Sequence, residues 1–181
     1  KYPMVSVNLS VFTDELGEPK NTQLAQQRMD ALVAFLGKNK VAADRVVVHK
    51  AERKLLLMRG DAILRTFDVA LGLSPTGHKQ REGDFRTPEG SYRLAGRKAD
   101  SDFFLAIQVS YPGPDDLRRA SAEGVAPGGM IMIHGQPNRP NKPIEYYRTR
   151  DWTNGCIAVS NSDMVDIWLM TPDNTPIQIL P

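Results

Sequence analysis

The chain has 181 residues, 41% of them apolar, with 23 Lys and Arg against 21 Asp and Glu and a single cysteine. That length carries one full hydrophobic core with room for an N-terminal appendage, and is short for two domains. The near balance of charge, with lysines spread along the chain rather than gathered in a stripe, argues against nucleic acid as a partner. One cysteine excludes an intrachain disulfide and leaves the compartment open.

The opening residues "KYPMVSVNLS" lack the charged-then-apolar layout of a signal peptide, and no apolar run reaches the roughly 18 residues that span a bilayer. Starting at Lys1 rather than Met, the chain reads as a mature or trimmed form. Residues 1–40 are expected to form an N-terminal segment packed on a domain of residues 41–181. Within that segment, residues 22–36 set Ala25, Met29, Leu32 and Leu36 on one helical face, with Asn21 or Thr22 as cap and Gly37 as stop.

From Arg45 the pattern changes to short β-branched and apolar runs. "RVVVH", "KLLLMR" and "AILRTFDVAL" predict three strands, the last two joined by Gly60-Asp61, a two-residue hairpin turn. Arg59-Gly60-Asp61 spells an adhesion triplet, but the hairpin accounts for it. Further strands are expected at "GSYRLA", "FFLAIQVS", "GGMIMIH", "CIAVS" and "TPIQIL", and "SDMVDIWLM" predicts a short helix capped within Ser160 to Ser162. The fold class is therefore mainly β with short helices (α+β). The longest irregular span, residues 135–154, holds three prolines and four basic residues, and long loops in compact domains are often binding loops or lids.

Cys156 follows Thr153-Asn154-Gly155 and precedes Ile157-Ala158-Val159, so it is expected where a turn enters a strand. The amides of Gly155 and Cys156 could there face a ligand as an oxyanion hole. A free thiol, with a pKa of about 8.5, needs a nearby base near neutrality. His134 is the best candidate: it ends the run "MIMI", and it and Cys156 bound the same loop. On these residues alone, a lone cysteine reads as readily as a small buried hydrophobe.

The pairing of "IMIHG" with "DWTNGCIAVSNSDM", preceded by "GDFRTPEGSYRL", resembles the L,D-transpeptidase catalytic domain (YkuD-type fold) of bacterial peptidoglycan enzymes over roughly residues 45–181. The resemblance implies a β-sandwich domain whose cysteine attacks the amide after the third residue of a tetrapeptide stem. D-alanine leaves, and the resulting thioester passes to an amine of another stem or of an anchored lipoprotein. Position by position, it makes Cys156 the nucleophile, His134 the general base, Gly155 and Cys156 the oxyanion donors, and a backbone carbonyl near Gly135 the group that orients the imidazole. It implies no cofactor, peptidoglycan stem peptides and an envelope lipoprotein as partners, a monomer, and a periplasmic or cell-envelope location.

One departure stands out: the family commonly has His two residues before the cysteine, where this chain has Asn154. An amide cannot take a proton, so Asn154 can only position groups or donate hydrogen bonds. The chain thus resembles a subgroup in which some members hydrolyse the link between peptidoglycan and its lipoprotein. Three readings follow: a transferase, an amidase using water, and a non-catalytic peptidoglycan-binding module with an inert cysteine. A redox sensor is disfavoured for want of a resolving cysteine.

Arg139, Lys142, Arg148 and Arg150 of the long loop, with Arg86 of the first motif, are candidates to bind stem carboxylates, or are solvated charges. Tyr146, Tyr147 and Trp152 form either a cleft wall or loop packing. Thr153 hydrogen-bonds near the thiol or caps the turn. Residues 77–90 read as a loop that shapes the cleft, with His78 the residue to watch, and His49 as a sheet-surface residue. No Cys or His pair stands at a zinc-ligand spacing, so no metal is expected.

Overall fold

The computed structural model describes residues 42–181. The segment 1–40 and its expected helix lie outside the described residues. Eight strands follow in chain order: β1 (Arg45–His49), β2 (Lys54–Arg59), β3 (Ala62–Asp68), β4 (Gly90–Ser101), β5 (Phe104–Val109), β6 (Met132–His134), β7 (Ile157–Ala158) and β8 (Pro176–Leu180). Three helices join them: α1 (Pro114–Ala122), α2 (Ile144–Thr149) and α3 (Asn161–Met170).

Short apolar runs in the sequence become alternation in burial. Val46 and Val48 of β1, Leu55 and Leu57 of β2, and Ile177 and Ile179 of β8 all face one core, while the residues between them, Val47, Leu56 and Gln178, lie on the more open face. The β2–β3 hairpin turns at Gly60-Asp61, pairing Arg59 with Ala62, and Gly60 takes a positive φ of 53°. A left-handed residue at that turn matches the strand twist.

The strands run in the order β3-β2-β1-β8-β4-β5-β6-β7. The twelve-residue β4 does double duty: Gly90–Arg93 pairs with β8, whereas Leu94 onward pairs with β5 after a register shift between Leu94 and Arg97. Such a bulge bends and twists a strand, and here it lies where β4 passes from its pairing with β8 to its pairing with β5. The outer ends then meet, as Ala70 and Ala158 exchange two backbone hydrogen bonds of 2.8 Å. Helix α3, capped by the Ser160 hydroxyl accepting from the Asp163 amide, buries Met164, Ile167 and Trp168 in the same core.

Two expectations need correction. The strand expected over 128–134 is only Met132–His134, because Gly128 and Met130 take positive φ values of 77° and 55° and break the extended run. Helix α1 was not anticipated. Its signal is Pro114 at the first helical position followed by acidic residues, with the Asp116 carboxylate accepting from the Gly113 amide at 2.9 Å.

Candidate active site

Strands β6 and β7 run parallel, with Ile133 beside Ile157 and His134 beside Ala158, so Cys156 lies beside Met132 at the mouth of β7. A cavity of about 440 Å³ opens there, and both Cys156 and His134 line it, together with Met130, Met132, Trp152, Thr153 and Asn154. The two ends of the long loop are therefore brought to one site.

His134 is 4% exposed, and its Nδ1 lies 2.7 Å from the Gly135 carbonyl. A carbonyl only accepts, so Nδ1 carries the proton and Nε2 is the basic nitrogen. Burial pushes the imidazole pKa below its ordinary value, against the opposing pull of that carbonyl. Phe103 packs on one side of the ring at a centroid distance of 4.6 Å, and Trp152 meets it edge-on at 5.6 Å. Trp152 is itself backed by Tyr147 at 5.1 Å and donates its Nε1–H to the Tyr147 carbonyl.

The half-buried Cys156 thiol points at the Met130 carbonyl, with Sγ 3.6 Å away. Burial pushes the thiol pKa up, offset in part by a hydrogen bond from the Met132 backbone and by the Lys79 ammonium. Both groups are thus held neutral, a thiol and an imidazole with a free lone pair lining the same cavity. A proton must move between them before the sulfur becomes a nucleophile.

The turn before the cysteine is locked by close approach. Gly155 has φ of +126°, and a Cβ there would sit 2.7 Å from the Arg86 carbonyl; a Cβ on Gly72 would meet the Phe85 carbonyl at 2.1 Å. Both positions therefore demand glycine. The buried Thr153 hydroxyl donates to the Cys156 carbonyl at 2.7 Å and accepts from the Gly155 amide at 3.1 Å. Thr153 caps the turn, and the Gly155 amide, expected to be free for an oxyanion, is occupied by that hydroxyl. Gly135 is equally confined: a Cβ would lie 2.6 Å from Asn161 Oδ1.

The basic residues fall outside this cavity. Arg148 and Arg150 are exposed at the end of α2, Arg139 and Lys142 are exposed earlier in the loop, and Arg86 places Nη1 3.4 Å from the His78 carbonyl. His78 is not near the thiol either: its Nδ1 accepts from the Glu89 amide at 2.8 Å and its Nε2 donates to Asp116 at 2.9 Å, in a second cavity of about 380 Å³. The loop 77–90 supports the site from behind, through its backbone contacts with Gly72 and Gly155.

Sequence reasoning missed an entire wall. Lys98, Ser101, Asp102, Phe103 and Ala106, from the β4–β5 hairpin, complete the cavity. It also missed Asp151, whose carboxylate takes the Arg53 guanidinium at 2.8 Å and the Leu71 amide at 2.8 Å, tying the end of the long loop to the body. Among the described residues no group of three or more His, Cys, Asp or Glu could hold a metal.

Residues 43–179 match the family described as the YkuD, L,D-transpeptidase catalytic domain. The protein YafK of Escherichia coli (strain K12) is 35% identical over 75 residues, which cover 40% of this chain and 28% of YafK, so the match spans little more than a quarter of that relative. Among solved structures, the helical cell shape determining protein Pgp2 (K307A mutant) from Campylobacter jejuni is 23% identical, with a TM-score of 0.55 over 83% of this chain and 53% of Pgp2. Bd1075 of Bdellovibrio bacteriovorus is 24% identical, with a TM-score of 0.53 over 78% of this chain and 49% of its own. These likenesses speak to the fold, which is the mainly β architecture described above, and the family match decides the rest: the chain belongs to the L,D-transpeptidase catalytic domain family.

Proposed function

We propose that this chain is a peptidoglycan L,D-transpeptidase that works through a Cys156–His134 dyad. The observation that carries this reading is the buried imidazole, fixed with Nδ1 on the Gly135 carbonyl and its basic Nε2 free, in the same cavity as the only thiol. In the proposed cycle, Nε2 takes the Cys156 proton and the sulfur attacks the carbonyl carbon after the third residue of a tetrapeptide stem. The developing oxyanion is received by the Cys156 amide, since Thr153 already engages that of Gly155. The His134 imidazolium then protonates the leaving amine, D-alanine departs, and a thioester remains. An acceptor amine gives a proton to His134, attacks the thioester and restores the thiol.

Asn154 lines the cavity without being able to act as a base, so a single imidazole serves both half-reactions, as expected of the subgroup with Asn at this position. That favours a second reading, hydrolysis of a stem-to-lipoprotein link, because water carries no ammonium proton to remove. We place the reaction in the periplasm or cell envelope, where stems are found, and suggest a part in cell shape like that named for Pgp2. The exposed Arg148 and Arg150 are positioned for a distal part of a stem rather than for its reacting bond. Defined tetrapeptide stems with excess acceptor decide between the readings: crosslinked dimers or exchanged D-amino acids support transfer, and free stems with released lysine peptide from a lipoprotein-linked substrate support hydrolysis. Turnover of neither substrate removes both.

A further inference from the structure

The peptide between Gly135 and Gln136 has both of its polar groups engaged. Its carbonyl takes the Nδ1 proton of His134 at 2.7 Å, and its N–H donates to Asn161 Oδ1, also at 2.7 Å. A backbone N–H only donates, so the Asn161 atom that faces it is the amide oxygen. His134, this peptide and Asn161 thus form one chain of hydrogen bonds, running from the imidazole to the first residue of α3.

That peptide is a soft point in the backbone. A Cβ at residue 135 would lie 2.6 Å from Asn161 Oδ1 and 3.0 Å from the Phe104 Cβ, so glycine is required there, and glycine leaves the plane of the following peptide free to turn. The chain around it is pinned: the Gly135 amide donates to the Leu105 carbonyl at 3.1 Å, the His134 carbonyl accepts from the Val159 amide at 2.9 Å, and Gln136 Nε2 donates to the Val159 carbonyl at 2.7 Å. What those bonds leave loose is rotation of the one peptide plane whose carbonyl sets the tautomer of the base. Turned away, the carbonyl releases the Nδ1 proton, and nothing keeps Nε2 as the basic nitrogen. Asn161 closes that freedom, and it is carried by a helix whose Met164, Ile167 and Trp168 are buried in the core.

We propose that Asn161 is a positioning residue for the general base: through the Gly135–Gln136 peptide it holds His134 in the tautomer that accepts the Cys156 proton. This rests on the dyad proposed above and adds a residue to that same site. Asn161 is not among the residues lining the cavity and acts only through the backbone between it and the ring. The work a carboxylate does in a Ser-His-Asp triad is here divided between a carbonyl and a side-chain amide one peptide further out.

The tautomer is read by nitrogen NMR of the isotopically labelled imidazoles in the Cys156→Ala protein at about pH 8, where a free imidazole is neutral, with the signals assigned through His134→Gln. His78, whose Nδ1 accepts from the Glu89 amide, holds the opposite tautomer and is the internal control. With Asn161 in place, His134 shows the Nδ1–H form alone. Asn161→Ala gives a mixture of both forms with His78 unchanged, and in the active protein lowers kcat about tenfold at unchanged KM. Asn161→Asp keeps an acceptor oxygen and restores the single tautomer and most of the rate. Asn161 is exposed, and Ser160 supplies the helix cap, so both variants keep the fold. A sole Nδ1–H form in Asn161→Ala, or an equal loss of rate in Asn161→Ala and Asn161→Asp, overturns the proposal. Failure of the dyad reads differently, as the expected tautomer response to Asn161→Ala in a protein that turns over no stem.

Discussion

At the scale of single residues, the account turns on a thiol and an imidazole that are both neutral in the resting protein. Cys156→Ala is expected to abolish turnover with little loss of stability, since it removes one half-buried sulfur at a strand end. His134→Ala is expected to cost about 10² to 10⁴ in rate, read from steady-state kinetics on a defined stem. The pH dependence has a definite sign. Because burial lowers the His134 pKa, the unfolded chain takes up a proton before the folded one does as pH falls below about 6.5. Stability therefore declines from that point downward, and His134→Gln should flatten the fall in melting temperature between roughly pH 7 and 5. An unchanged slope would mean that His134 is not held neutral by burial.

At the scale of elements, the site is a product of how β6, β7 and two loops are locked together. Gly155→Ala forces a side chain to within 2.7 Å of the Arg86 carbonyl in a backbone conformation that only glycine takes easily, and a loss of about 2 kcal/mol or more in denaturant unfolding is expected. Asn138→Ala releases two side-chain hydrogen bonds to the hairpin turn, from the Phe104 amide and to the Ser101 carbonyl, and is expected to raise KM several-fold by loosening the wall against which His134 packs. The strands were legible because "RVVVH", "KLLLMR" and "TPIQIL" are short β-branched and apolar runs, and the α3 cap was legible in Ser160. The cysteine and histidine at the ends of one loop could also be read from the chain. The wall opposite them could not, because Lys98 reaches the site only through the pairing of β4 with β5 and of β5 with β6, and no local pattern encodes that register. The same holds for Asp151 and Arg53, which are 98 residues apart in sequence and joined only once the sheet has closed.

At the scale of the whole molecule, one buried lysine fastens loop 77–90 to the body behind the site and a second braces the loop from within. Lys50 reaches Glu89 at 2.8 Å as well as the carbonyls of Gly77 and Thr87, and inside the loop Lys79 reaches Asp84 at 2.7 Å. Burial alone would raise the Asp84 pKa, but Lys79 and the amides of Gln80, Arg86 and Arg81 outweigh it and hold the carboxyl at about 2. Its stabilising contribution is therefore complete above the ordinary carboxylate range and is lost as pH falls from about 4 toward 2. Asp84→Asn is expected to lower the melting temperature at pH 7 and to bring wild type and variant together near pH 2; an equal gap at both pH values would contradict the pairing. The most direct test of the central claim is intact-mass spectrometry of the protein quenched in acid during turnover of a tetrapeptide stem. The account predicts a single adduct equal to the stem less its terminal D-alanine, mapped to Cys156 and absent from Cys156→Ala. Turnover without any such adduct, or an adduct that persists in the Cys156→Ala protein, would contradict it.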